Sequence, residues 1–123
     1  MTPAPPEPVD PATLAALRAM DDVGAPGFFA ELVGIFLAEL PGRVEAIRAA
    51  VARGDGPGLG SAAHSLKGSA ANLGARALAT LCERLEIDGK AGTLADVGPV
   101  LTSMGAEAGR VRTRLEQEIR NAA

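Results

Sequence analysis

The one histidine of the 123-residue chain, His64, stands three residues before Lys67 and four before Gly68. Those residue types at that spacing could receive and hold a phosphoryl group. Imidazole, with an ordinary pKa of about 6.5, is mostly neutral at cytoplasmic pH and is then a nucleophile. A lysine three residues further along a helix can bring its ammonium to a group on the ring and neutralise a phosphoryl oxygen as a mobile point charge. Glycine inside a helix costs roughly 0.8–1 kcal/mol relative to alanine, so Gly68 calls for a compensating use. Its missing side chain leaves room beside the ring for another protein's loop. Phosphoryl transfer needs in-line positioning and charge stabilisation more than covalent help from the protein. A nucleophile, one cation and a docking surface would suffice here if a partner brings the metal and the acidic residues. Each residue alone has an ordinary reading: a surface histidine, a solvated lysine, a glycine for close helix packing. Their joint spacing favours the chemistry.

A helix has to present these side chains. With Leu66 set at zero and about 100° per residue, Leu59, Ala62, Ala63, Ala70 and Leu73 lie within about 60° of it. They make one continuous apolar face. His64 lies about 160° away, on the opposite side. Its neighbours at three, four and seven residues are Gly60, Ser61, Lys67, Gly68 and Ala71. None but the lysine is large enough to cover the ring. Gly60, Ser61 and Ala71 are therefore candidate docking positions around it. Phe28 and Ile35, on the preceding helix, point off that helix's main stripe. They either cover the first short helix or extend the docking patch.

The remaining elements follow from apolar spacing. Asp10-Pro11 is a helix start, with Asp as cap and Pro at the first helical position. Leu14, Leu17 and Met20 give a short stripe that Gly24–Gly27 breaks. Phe29, Val33, Phe36, Leu40, Val44, Ile47 and Val51 recur at three and four residues from Phe28 to about Arg53. Pro41 falls inside this run, but the stripe keeps phase across it, which predicts one kinked helix. Asp55 is the best cap for the central helix, and Gly74 is placed to end it in the left-handed conformation. Leu78, Leu81, Cys82 and Leu85 mark a fourth helix fading at Asp88–Gly92. Val97, Leu101, Met104, Ala108, Val111, Leu115 and Ile119 mark the last, beginning around Gly98. Four long stripes, one short helix and short connections predict an all-α fold: an antiparallel four-helix bundle with a short N-terminal covering helix.

Composition agrees and narrows the function. Apolar residues make up 47% of the chain but aromatics only 2%, which suits helices packed on helices. The length suits a single domain, read over residues 10–120, with residues 1–9 and their four prolines as a flexible tail. Net charge is −3 and no basic block is present, which argues against nucleic acid. The single cysteine, Cys82, rules out an internal disulfide framework. No apolar run reaches the ~20 residues of a membrane span, and Met1–Pro8 lacks the basic and apolar regions of a signal peptide. The expectation is a cytoplasmic protein without membrane attachment. No second self-complementary stripe is evident, so a monomer is expected.

The segment His64-Ser65-Leu66-Lys67-Gly68-Ser69-Ala70-Ala71-Asn72-Leu73-Gly74 resembles the signature of histidine-containing phosphotransfer (HPt) domains. That signature reads His, any residue, Leu, Lys, Gly and, further on, Leu-Gly. The likeness extends over residues 10–118, through the Leu-Pro of the second helix, the Gly-Asp turn and the Leu-Cys-Glu-Arg-Leu-Glu helix. It implies phosphorylation of His64 on its distal ring nitrogen, with Lys67 orienting or neutralising the phosphoryl group and Gly68 admitting the partner's loops. The implied partners are receiver domains of response regulators and of hybrid histidine kinases, with Mg²⁺ on the receiver and no cofactor on this chain. It also implies a phosphotransfer protein with no nucleotide or metal site of its own. Ser69 is placed to bond a backbone carbonyl, and Asn72 has no assigned role.

Three rival readings fit the sequence less well. A histidine kinase needs a nucleotide-binding domain that 123 residues cannot hold alongside this bundle. A kinase dimerisation helix usually carries an acidic residue directly after its histidine, where Ser65 stands. A helical module that binds receivers without accepting phosphate has no need to keep His64, Lys67 and Gly68 together. Metal catalysis is weakest: there is one histidine, with no Asp or Glu three or four residues from it.

Overall fold

The structure, a computed structural model, describes residues 6–122 as five helices: α1 (Pro11–Asp22), α2 (Phe28–Arg53), α3 (Gly56–Asn72), α4 (Arg76–Ala91) and α5 (Gly98–Ala122). Consecutive long helices are joined by turns too short for anything but antiparallel neighbours. α3 packs on α2 and α4, and α5 closes the ring by touching both α4 and α2. α1 lies on α2. The four-helix bundle with an N-terminal cover is therefore the fold. No helix among the described residues is long and apolar enough to cross a membrane.

The caps show why the helices start and stop where they do. Asp10 accepts from the Ala12 N–H at 3.1 Å, and Pro11 occupies the first turn of α1. The N-cap of α2 is Gly27, which has no capping side chain of its own. Asp21, at the end of α1, supplies the oxygen instead, accepting from the Phe29 N–H at 2.9 Å. α2 then runs through Pro41 without a break. Apolar residues on both sides of the proline, Leu40 and Ile47 among them, stay buried, so tertiary packing holds the helix where its backbone bonding is locally weakened.

The core is aliphatic. Phe29, Val33 and Ile47 of α2 meet Leu59, Ala63, Leu66 and Ala70 of α3, Leu78, Cys82 and Leu85 of α4, and Met104, Val111 and Leu115 of α5. Each is at most 1% exposed. Met20, placed on the α1 stripe by its spacing, is instead 44% exposed, because α1 is only a one-sided cover.

One expectation is corrected at the N-terminus. Residues 1–5 of the expected flexible tail lie outside the described residues, but Pro6–Val9 are docked. Val9 is fully buried in the core. Arg110 donates to the Pro6 carbonyl at 2.6 Å, and Arg114 pairs with Glu7 at 2.6 Å. The Asp10 N–H donates to the Gly74 carbonyl at 2.9 Å. A segment without apolar periodicity is thus held by one core side chain and by polar contacts to α5 and the α3–α4 turn.

Candidate functional site

Both ends of α3 are fixed in the way its sequence directs. Asp55 caps the start, accepting from the Gly58 N–H at 2.9 Å. At the other end Gly74 has φ +76°, the Gly74 N–H donates to Ala71 and the Ala75 N–H to Ala70. This paired closure needs a left-handed residue and satisfies two carbonyls that the helix leaves open. Between these stops the phase of α3 is set by Leu59, Ala63, Leu66 and Ala70, all fully buried. His64 falls on the far side, its side chain 67% exposed. Nothing lies within 4 Å of where a Cβ on Gly68 would stand, so the space beside the ring is open. Ser61 and Ala71 are also exposed. Ser69 Oγ donates to the Ser65 carbonyl at 3.3 Å, as its position suggested.

The residue that sequence reasoning missed is Glu86. It projects from α4 toward α3, only 5% exposed, and three side chains converge on its carboxylate. His64 Nδ1 lies 3.0 Å from Oε2 and Lys90 Nζ 2.7 Å from the same oxygen. Lys67 Nζ lies 2.7 Å from Oε1, as an ion pair whose angles are poor for a hydrogen bond. Lys67 first, then Lys90, hold the Glu86 carboxyl down to about 2 from an ordinary 4.5, against the opposing effect of burial. Lys67 is in turn raised above its usual value, chiefly by its pairing with Glu86. Burial pushes the nearby Cys82 thiol up to about 12, which leaves it inert as a nucleophile.

This geometry assigns the proton on the ring. An ionised carboxylate only accepts hydrogen bonds. The 3.0 Å contact is therefore an Nδ1–H donating to Glu86. In the neutral ring the lone pair is then on Nε2, the atom away from the carboxylate.

Glu86 did leave a signal in the sequence. It sits four residues after Cys82 and one after Leu85, at the edge of the apolar stripe of α4, with Lys90 four residues on. A carboxylate at such a position needs partners.

Gly60 is a correction. It was expected on the docking surface, but it is buried against α4. A Cβ on Gly60 would stand 3.2 Å from Lys90 Cγ and 3.6 Å from the Glu86 carbonyl. Gly60 lies about 120° from Leu66 on the helix wheel, a flank that α4 covers and the leucine stripe does not reveal. A Cβ on Gly89 of α4 would fall 2.7 Å from both the Gly56 carbonyl oxygen and the Gly60 nitrogen. Gly56, Gly60 and Gly89 thus let the two backbones touch. The sequence showed these glycines without showing their common partner.

The remaining docking candidates are separate from the ring. Phe28 is half-buried at the start of α2. Ile35 is 51% exposed and lines a shallow groove between α2 and α3 with Leu32, Glu39, Ser69 and Asn72. Further along the same furrow, Glu39, Gly42, Arg43 and Ala46 face Ala62 and Ser65, the residue after His64.

Comparison with known proteins identifies the family and the fold. The family model described as Hpt domain matches residues 31–122. The structure is similar to that of histidine-containing phosphotransfer protein B from Pseudomonas aeruginosa PAO1, at 29% identity and a TM-score of 0.83, covering 96% of this chain and 98% of that one. It shares its fold with the HPT domain of a sensor hybrid histidine kinase from Shewanella, at 21% identity and a TM-score of 0.77, covering 94% and 96% of the two chains. No curated protein matches the sequence. On the family match over most of its length, the chain belongs to the Hpt domain family, the histidine phosphotransfer carriers of phosphorelays.

Proposed function

We propose that His64 accepts a phosphoryl group on Nε2 from a receiver domain's aspartyl phosphate and passes it to the aspartate of another receiver. One observation carries this reading: the only imidazole in the chain is exposed, and Glu86 holds its Nδ1 proton at 3.0 Å. In the transfer the Nε2 lone pair forms the N–P bond while the P–O bond to the aspartyl group breaks, and the carboxylate leaves with the bonding pair. The ring keeps its Nδ1 proton and becomes cationic, with the positive charge beside the Glu86 carboxylate. No proton need leave during the step. Lys67, three residues from His64 on the same side of α3, supplies the cation for the phosphoryl oxygens. Gly68 leaves the space through which a receiver's loop reaches the ring. Ser61 and Ala71 border that approach, and the α2–α3 furrow with Ile35 extends the docking face, with Phe28 at the start of α2 as a further candidate. Charge neutralisation at the donor aspartate is left to the receiver and its own Mg²⁺.

The test is incubation with a receiver domain phosphorylated with radiolabelled phosphate, in the presence of Mg²⁺. The chain is expected to acquire label that is stable to alkali and labile to acid, and His64→Gln to acquire none. Label retained by His64→Gln overturns the assignment. A variant that binds the receiver as the parent does, in a parent that is never labelled, would make this a regulatory binding module.

A further inference from the structure

Glu86 has more partners than a proton-holding carboxylate requires, and the surplus one is Lys90. Lys67 can serve the phosphoryl group only by loosening its hold on Glu86 Oε1, since one ammonium cannot sit equally close to both. A nearly buried carboxylate that loses its only cation is strongly disfavoured. Lys90 stands ready on the other oxygen, 2.7 Å from Oε2 and four residues along α4 from Glu86. Its stem lies across the bare backbone of Gly60, so its place depends on the absence of a side chain there. The other carboxylate acting on Lys67 is Glu83, about one turn earlier on α4.

We infer that Lys90 is a positioning residue for phosphoryl transfer, sharing the charge of the Glu86 carboxylate so that Lys67 is free to turn to the phosphoryl group. This rests on the reading of His64 as the phosphoryl acceptor. Lys90 acts at no bond that forms or breaks. It acts through Lys67, by making that lysine dispensable to Glu86. Without Lys90, Glu86 holds Lys67 more tightly and the phosphorylated state of His64 is less favoured.

The experiment is a double-mutant cycle on the full chain, reading the fraction of phospho-His64 at equilibrium with a phosphorylated receiver. Lys90→Gln is expected to lower the equilibrium ratio of phospho-His64 to phosphoreceiver by about threefold to tenfold, the size of a typical coupling between contacting residues. Lys90→Arg is expected to restore it. In a Lys67→Gln background the further change Lys90→Gln is expected to shift the ratio by less than about twofold. Equal shifts in both backgrounds, or none in either, overturn the inference. A second readout needs no phosphorylation: the nitrogen-15 titration of Lys67 Nζ should move to higher pH in Lys90→Gln, and an unmoved titration overturns the sharing of Glu86. Phosphoramidate, a small chemical donor whose P–N bond breaks as His64 gains the phosphoryl group and ammonia leaves, separates the two failures. A parent chain that neither phosphoramidate nor a receiver labels sinks the acceptor reading, whereas a labelled chain indifferent to Lys90 sinks only this inference.

Discussion

Glu86 accepts from His64 and Lys90, pairs with Lys67 and donates to none, so whatever its partners gain from it depends on its charge. Its carboxyl is held down to about 2 by Lys67 and Lys90. A folded-state value below the unfolded one means that the stabilisation is complete above the ordinary value of 4.5 and is lost as pH falls toward about 2. Glu86→Gln removes this stabilisation and leaves two lysines facing a neutral amide. The variant should therefore be less stable than the parent at pH 7, with the gap closing between about pH 4.5 and pH 2. Urea unfolding at pH 7, 4.5 and 2.5 checks this, and a gap that stays constant refutes it. The His64 side of the site was legible because helical periodicity places one residue against a face of its own helix. Glu86 was not, because its role depends on the register of α4 against α3, across 22 residues of sequence. No single-helix pattern contains that register.

At the scale of helices, glycine means different things at different places on the α3–α4 pair. Gly68 faces open space with an ordinary helical backbone. Gly68→Ala is expected to raise stability by about 0.5–1 kcal/mol through helix propensity alone. Gly89 meets the backbone of Gly56 and Gly60. Gly89→Ala is expected to lower stability, because overpacking of about 1–3 kcal/mol outweighs the roughly 1 kcal/mol of propensity gained. Urea midpoints of the two variants, compared at pH 7, decide the matter, and shifts of the same sign would refute the contrast. The opening at Gly68 was readable from its angle to the leucine stripe. The burial of Gly60 was not, because that angle describes one face while α3 is packed on two sides. Capping was the most transparent layer: Asp10, Asp55 and Gly74 all act where their types predicted, since caps are local and need no tertiary knowledge. The cap of α2 was hidden, because Asp21 reaches it from another helix.

For the whole molecule, the bundle is fixed by four stripes closing on one core, and these the sequence announces. The docking of Pro6–Val9 escapes it, because a single valine in a proline-rich stretch has no period. Val9→Ala is expected to cost about 2 kcal/mol, two buried methyl groups and some cavity, while phosphotransfer at His64 proceeds at the parental rate below the unfolding temperature. Thermal unfolding and a transfer assay on the same sample check both halves, and an unchanged melting temperature would remove Val9 from the core's energetics. The glycine contact between α3 and α4 has a consequence of another kind. His64 and Gly60 share α3, about one turn apart, and Glu86 and Gly89 share α4 at a similar separation. The gap between the two backbones is therefore the gap across which Nδ1 and Oε2 must meet, and a hydrogen bond fades within a few tenths of an ångström of stretch. Three residues with no side chain act as a spacer gauge, and what they gauge is which nitrogen of the imidazole carries the hydrogen.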